Sequence, residues 1–280
     1  PDPSRPPAWP WWYAPAGFLA AAGLILALGI FVGGGGALAG VDLDDPPPAF
    51  NIVALFAQDV ALVAAALLVA GFTARPRAWH FGLRPVRLWP AAGYAAAGLA
   101  VFYAFTALYS AAVHPEGKQS VAEDLGVNRG TVALIVGAIV VIVVAPIAEE
   151  FFFRGFFYRA LRNGTVGWLG ARGGVLLAAL IDGALFGVIH FEGGDTLSLL
   201  PLLAVLGAIF CLVYEYTGTL FATIALHAIN NSVAYTAVAD DGVAVALPLG
   251  AAMIAACVLA PRLIGDRRGE GLPREAAAAP

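Results

Sequence analysis

Ionisable side chains are rare in the long apolar stretches of this sequence, and those present are of types that move protons or bind ions. A charged group inside a lipid bilayer is costly, so such residues are functional hypotheses by default. The candidates are Asp59, Glu149, Glu150, Asp182, His190 and His227, with Asn231 as a buried amide.

Two adjacent glutamates form the first motif. On a helix, Glu150 and Arg154 are four residues apart and share a face, whereas Glu149 lies about 100° around the axis. One carboxylate can therefore be neutralised by Arg154 while the other faces a cavity. The alternative is that both glutamates mark a helix end at the lipid headgroups. The apolar residues before the pair and Phe151–Phe153 after it weaken that alternative.

Two histidines lie on separate apolar segments further along the chain. Asp182, Phe186 and His190 are spaced by four and predict one helical stripe. His227 and Asn231 share a face for the same reason. Each histidine alone has a simpler interpretation, His190 as an interfacial residue and His227 as an interhelical hydrogen bonder.

The same residues leave a metal site open. Two histidines and one glutamate make a His₂Glu set, which is a known catalytic zinc arrangement. Against metal, the compact HExxH spacing is absent from the sequence, and Asn231 is a poor zinc ligand. The residues favour a site without a metal cofactor, with zinc or another divalent metal on Glu149, His190 and His227 as the alternative.

The composition indicates which elements position these residues. The chain is 60% hydrophobic and only 12% charged, against about 25% charged for a soluble domain. A membrane-spanning helix needs about 20 mostly apolar residues. The fold class predicted is an all-α polytopic membrane protein with about eight transmembrane helices and a buried polar site. The eight segments are approximately 14–34, 51–72, 89–111, 131–153, 174–190, 197–214, 219–237 and 243–260.

The domain organisation predicted is simple. Residues 1–262 form one membrane-embedded domain with its motif core at about 131–237, and we expect the polar tail 263–280 to be disordered. The first apolar stretch is longer than the roughly 7–15 residues of a signal-peptide core, which favours a retained helix. Cys211 and Cys257 lack a CxxC spacing, so neither a disulfide framework nor a thiolate metal site is expected. Without a basic tract with interleaved aromatics, nucleic-acid binding is not expected.

The basic residues predict the topology. Thirteen of the fifteen Lys and Arg residues fall on one set of alternate connections, and the positive-inside rule places that set in the cytoplasm. Both termini of this multi-pass plasma-membrane protein are then cytoplasmic. If one helix ends near Asn163 and the next begins near Gly174, Glu149 and His190 lie roughly 21 Å and 24 Å from the turn.

In order and spacing, the three motifs resemble the CPBP family, the CAAX prenyl protease and bacteriocin-processing family of intramembrane endopeptidases. The family pattern is EExxxR, then FxxxH, then HxxxN on successive membrane helices. Here it falls on Glu149, Glu150 and Arg154; on Phe186 and His190; and on His227 and Asn231.

The resemblance implies hydrolysis of a peptide bond within the membrane, in a membrane-associated or lipidated protein or peptide. The Gly- and Ala-rich composition is typical of a bacterial protein. Glu149 is expected to act as general base on water, and His190 to position that water or share its proton. His227 and Asn231 would donate hydrogen bonds to the oxyanion, while Arg154 holds Glu150.

Two other functions are open. A proton-coupled transporter would use Asp59, Asp182 and Glu149 as a relay, and it predicts an inverted repeat, which the sequence lacks by inspection. A non-catalytic scaffold or immunity protein would keep the fold alone, which the intact site disfavours. Asp59 and Asp182 lie outside the family pattern, so the resemblance gives them no role.

Overall fold

The structure is a computed structural model that describes residues 7–115 and 119–266. Of the described residues 82% are helical, and the described ranges contain no β-strand. The α-helices are α1 (Tyr13–Leu38), α2 (Pro48–Gly71), α3 (Leu88–Val113), α4 (Val121–Asp124), α5 (Thr131–Ile139), α6 (Ala145–Phe152), α7 (Arg159–Ile189), α8 (Leu200–Thr217), α9 (Leu220–Val238) and α10 (Gly242–Asp266).

Six helical stretches are long and apolar enough to cross a membrane. One of them, Thr131–Ile189, comprises 59 residues and is bent into two legs. Helix α9 is not among the six, and His227, Asn230 and Asn231 lower its mean hydropathy. With both legs and α9 included, the bundle has eight long segments, and the predicted all-α polytopic membrane protein is confirmed.

The bend in the long stretch falls at Gly170, whose φ of 73° lies in the left-handed region that glycine adopts without strain. Thr165 closes the hairpin by donating from its hydroxyl to the carbonyl of Gly174 at 2.7 Å. The first leg therefore continues past Asn163, where the sequence predicted its end. Glu149 and His190 lie 21 and 20 residues from the bend, or about 31 Å and 30 Å, so their depths still match.

Glycines bring α7 and α8 into close contact. Gly183 and Gly187 form a GxxxG pattern, which lets two membrane helices approach closely. A Cβ atom at Gly183 would lie 2.4 Å from the carbonyl oxygen of Ala204, and one at Gly187 would lie 2.8 Å from that of Leu200. This contact sets the distance between α8 and the leg that carries Asp182, Phe186 and His190.

Hydrogen bonds join the connecting segments to one another at both ends of the bundle. At one end Arg84 donates to the carbonyl of Gly218, and Asn163 donates to the carbonyl of Trp9. At the other end the backbone N–H of Ser120 donates to the carboxylate of Glu192. The end predicted to be cytoplasmic therefore unites the N-terminal segment, the α2–α3 connection and the hairpin.

The structure corrects the sequence prediction at Arg154 and at the start of the C-terminal tail. Arg154 was counted among the topology-setting basic residues, but its side chain is fully buried in an ion pair and gives no information on sidedness. The other basic residues on those connections still predict the same orientation. The predicted polar tail overlaps the end of α10, which continues to Asp266, and residues 267–280 lie outside the described ranges.

Candidate functional site

The two glutamates lie on a helix that is widened on both sides. Helix α6 is flanked by π-helical segments at Val140–Val144 and Phe153–Tyr158. Pro146 has no backbone N–H and cannot bond to the carbonyl four residues earlier, which favours a local change of helix register. Such π-segments are frequent at functional sites. Here Glu149 and Glu150 lie in a regular eight-residue helix between two distorted segments.

Glu150 and Arg154 form the ion pair that their spacing predicts. Nη1 of Arg154 lies 3.0 Å from Oε1 of Glu150, and both side chains are fully buried. Nη2 of Arg154 donates to the carbonyl of Gly207 at 3.0 Å, and its Nε lies 3.6 Å from Oδ1 of Asp182. We call Glu150, Arg154 and Asp182 the ion cluster.

Aromatic rings surround the guanidinium of the ion cluster. The Cζ atom of Arg154 lies 4.4 Å from the ring centre of Phe186 and 4.9 Å from that of Phe210. A cation over an aromatic face is attracted by the ring quadrupole, more strongly where water is excluded. The same two rings pack against His227, with centroids 5.9 Å and 4.9 Å away. Phe186 thus joins the ion cluster to the histidines.

Glu149 faces both histidines. Its Oε2 lies 4.0 Å from Nε2 of His190 and 3.9 Å from Nε2 of His227. Oε2 is buried and has no hydrogen-bond partner among the described residues. We call Glu149, His190 and His227 the Glu–His triad. Three segments supply it, α6, α7 and α9.

The other ring nitrogens fix which atoms the histidines present. Nδ1 of His190 lies 2.6 Å from the carbonyl oxygen of Phe186, and Nδ1 of His227 lies 3.0 Å from Oε1 of Glu150. Both partners are acceptors, so each Nδ1 carries the hydrogen and donates it. In a neutral ring the second nitrogen is then an acceptor. The two Nε2 atoms therefore present lone pairs toward Glu149.

Asn231 lies one turn beyond His227 on α9. Its Nδ2 donates to the carbonyl of Val141 at 2.9 Å, and its Oδ1 accepts a hydrogen bond from Asn230 at 3.3 Å. The acceptor carbonyl belongs to the first π-helical segment. Asn231 thereby ties α9 to the segment that leads into α6, and its contacts are separate from those of the Glu–His triad.

The donor types of the Glu–His triad suit zinc, but their spacing is wide. Zinc bonds of about 2.0–2.2 Å in a tetrahedron place neighbouring ligand atoms about 3.3–3.5 Å apart. The two glutamate–histidine separations are 3.9 and 4.0 Å. Among the described residues no group of three or more His, Cys, Asp or Glu side chains has the arrangement of a metal site. The observed spacing fits a bridging water better than a metal.

Several contributors to the site were not assigned from the sequence. Asp182 was noted without a role, while Gly207 and Phe210 were not noted at all. The GxxxG pattern at Gly183 was the available signal, because it marks where α8 must approach. Asp59 is also buried, on α2, and neither of its carboxylate oxygens has a hydrogen-bond partner in the described part of the chain.

Fold and site together define a polytopic helical membrane protein with acidic and imidazole groups buried where its helices meet. Residues 131–233 match the family model described as Type II CAAX prenyl endopeptidase Rce1-like. The match confirms the predicted resemblance to the CPBP family over these residues, and the matched family is one of membrane endopeptidases. No curated protein and no solved structure matches the chain.

Proposed function

We propose that this chain hydrolyses a peptide bond in a membrane-associated or lipidated protein or peptide, by attack of a water that Glu149 activates. The convergence of Oε2 of Glu149 with Nε2 of His190 and His227, at 3.9–4.0 Å, carries this proposal. Each gap is too long for a direct hydrogen bond, and one water can bridge such a gap. Three acceptors then surround a molecule that must lose a proton.

Glu149 is the proposed general base. Its Oε2 accepts a proton as the water oxygen bonds to the carbonyl carbon of the substrate, which gives a tetrahedral intermediate. The same carboxyl then returns the proton to the leaving nitrogen as the carbon–nitrogen bond breaks. A positioned acid–base group of this kind accelerates a reaction by typically 10²–10⁴-fold. His190, held through Nδ1 by the carbonyl of Phe186, positions the water through Nε2.

His227 has a more restricted role than the sequence alone suggests. Because Nδ1 donates to Glu150, neutral His227 has only an acceptor at Nε2. It donates to an oxyanion only as an imidazolium, whose two N–H groups are shared between Glu150 and the oxyanion. Asn231 is the second proposed donor, since a primary amide has two N–H hydrogens and Val141 accepts one of them.

The metal-dependent alternative keeps the same residues. Glu149, His190 and His227 would hold a divalent ion, which would polarise the carbonyl of the substrate and acidify a bound water. The wide spacing of the Glu–His triad favours the reaction without metal. Elemental analysis of purified protein separates the two, because one zinc per chain, with activity lost to chelator and restored by zinc, would replace the metal-free mechanism.

The membrane orientation is part of the proposal. We place both termini in the cytoplasm, on the side of the basic connections. His227 is seven residues above the start of α9, or about 10 Å, so the Glu–His triad would lie inside the bilayer, nearer the cytoplasm. Reporter fusions at Asp44 and Gly194 should report the outside and fusions at Arg77 and Arg162 the inside. A cytoplasmic signal at Gly194 would contradict this orientation.

The activity test uses the full chain purified and reconstituted in liposomes. Libraries of transmembrane and lipid-anchored peptides are added, and the products are identified by mass spectrometry. We expect discrete new termini that disappear with Glu149→Gln. Glu215→Gln is the matched control, because it removes a carboxylate paired with Arg162 outside the site and should leave cleavage intact. No cleavage of any peptide by well-folded protein would support a non-catalytic scaffold.

A further inference from the structure

Asp182 lies where the proposed mechanism makes no use of it. Its side chain is fully buried on α7, one turn before Phe186 and two before His190. Its Oδ1 lies 3.6 Å from Nε of Arg154 and accepts a hydrogen bond from Sγ of Cys211 at 3.1 Å. A relay residue must exchange its proton freely, so these contacts disfavour Asp182 as part of a transport pathway.

The contacts of Arg154 show what Asp182 does. Arginine and carboxylate prefer a two-pronged pair, in which two N–H groups face the two oxygens of one carboxylate. Here Arg154 instead divides its contacts, donating from Nη1 to Glu150 and from Nη2 to the carbonyl of Gly207, each at 3.0 Å. Its Nε faces Oδ1 of Asp182 at 3.6 Å, an ion-pair distance without a hydrogen bond. A guanidinium has two forked edges, Nη1 with Nη2 and Nε with Nη2. The carbonyl of Gly207 occupies the first edge and Asp182 faces the second, so neither edge is available for a two-pronged pair with Glu150.

Because the pair with Arg154 is single-pronged, Glu150 can also accept a hydrogen bond from His227. Oε1 of Glu150 accepts from both Nη1 of Arg154 and Nδ1 of His227, each at 3.0 Å. If Arg154 turned both prongs toward Glu150, that oxygen would be drawn away from the imidazole. The cluster also contains two carboxyl groups for one guanidinium, so Arg154 is shared between them.

We propose that Asp182 is a positioning residue of the site: it holds Arg154 in the divided geometry, and thereby keeps Glu150 on Nδ1 of His227 and Nε2 of His227 toward Glu149. The proposal deepens the proposed function and rests on it for its catalytic consequence. The geometric claim is independent of any substrate. It concerns which nitrogen of one histidine carries the hydrogen.

The test is the ¹⁵N NMR spectrum of histidine-labelled full-length chain in nanodiscs. The chain has four histidines, so His227→Gln assigns the relevant signals. We expect His227 with its hydrogen on Nδ1 in the unsubstituted protein. Asp182→Asn keeps the shape and removes the charge, and it should lower the Nδ1–H population measurably. Cys211→Ala is the matched control, since it removes the other partner of Asp182 and leaves its charge; it should leave the signals in place.

Kinetics give a second readout on the same variants. Asp182→Asn should lower kcat roughly tenfold, as for other outer partners of a site histidine, with KM little changed. Asp182→Glu restores the charge and should recover most of kcat and the Nδ1–H signal. A folded Asp182→Asn protein with unchanged His227 signals would overturn the proposal. If Asp182→Asn does not fold, a folded Asp182→Glu protein that loses the Nδ1–H signal would overturn it instead.

The outcomes separate this inference from the proposed function. A chain without peptidase activity whose His227 signals respond to Asp182→Asn would refute the proposed function and support the positioning role. An active chain whose His227 signals do not respond to Asp182→Asn would support the proposed function and refute the positioning role.

Discussion

The ion cluster and the Glu–His triad begin at adjacent residues and have opposite electrostatic character. In the ion cluster each carboxylate faces the guanidinium of Arg154, and all three side chains are excluded from solvent. In the Glu–His triad the facing atoms are a carboxylate oxygen and two imidazole lone pairs, and the side chains of Glu149 and His190 keep 12% and 22% of their exposure. Oε1 of Glu150 accepts from Arg154 and His227, whereas Oε2 of Glu149 faces two groups that are acceptors themselves.

Two neighbouring residues of one helix therefore have different roles, one structural and one chemical. A rotation of about 100° between neighbouring residues gives Glu150 to Arg154 and Glu149 to the histidines. A buried carboxylate paired with a guanidinium holds helices in place, whereas a converging set of acceptors attracts water or another donor. His227 belongs to both sets, through Nδ1 and Nε2 respectively. The substitutions below change one side at a time.

Removing the cation should have the largest effect on stability. Arg154→Met leaves Glu150 and Asp182 buried without their shared partner, and breaking a buried pair in this way costs about 3–5 kcal/mol. Thermal and denaturant unfolding in detergent measures the change. The control is Arg162→Ala, which breaks a partly exposed pair with Glu215 and should cost at most about 1 kcal/mol. Similar losses for the two variants would remove the distinction between the ion cluster and a surface pair.

The next largest effect is expected at the α7–α8 contact. A Cβ atom at Gly183 would lie 2.4 Å from the carbonyl oxygen of Ala204 and 2.6 Å from the backbone nitrogen of Ala208. Gly183→Ala should therefore cost about 1–3 kcal/mol, as overpacking does, and lower activity by displacing His190. Gly23→Ala on α1 is the control, because nothing lies within 4 Å of the added methyl. An equally stable and active Gly183→Ala protein would show that the close approach is not needed.

Asp59 should give the smallest effect. Neither of its oxygens has a hydrogen-bond partner among the described residues, so Asp59→Asn replaces a buried carboxyl group without breaking a pair. We expect activity within about threefold, which is less than 1 kcal/mol, and unfolding at an equal or higher temperature. Asp59 lies on α2, which packs against α6, the helix that carries Glu149. A loss close to that of Glu149→Gln would therefore extend the Glu–His triad to α2.

The long elements could be predicted from the sequence because lipid imposes a simple rule. Every backbone group in the hydrocarbon must be satisfied within a helix, so eight apolar stretches became eight helical segments. The i,i+4 spacing likewise predicted the ion pair of Glu150 with Arg154, because that pair depends only on residues of one helix. The end of the first hairpin leg was not predicted correctly, because the helix continues beyond Asn163 through Thr165–Leu169. It bends at Gly170.

The rest of the site depends on contacts between distant segments. No local pattern shows that Asp182 meets Arg154, that Gly207 offers its carbonyl, or that Asn231 meets Val141. The π-helical segments beside α6 were also missed, although Pro146 was a visible cause. Which nitrogen of His227 faces Glu149 follows only from the position of Glu150, and it changes the oxyanion role that the motif alone implied.

The most direct test of the account compares Glu149→Gln with Glu150→Gln in the reconstituted chain, measuring peptide cleavage and unfolding on the same preparations. Glu149→Gln should lower turnover by about 10²–10⁴-fold, the usual contribution of a positioned base, with stability nearly unchanged. Glu150→Gln should lower stability as well as turnover, because it removes the negative charge that pairs with Arg154 and accepts from His227. A folded Glu149→Gln protein that cleaves at the normal rate, or a stability loss confined to Glu149→Gln, would contradict the division between the two glutamates.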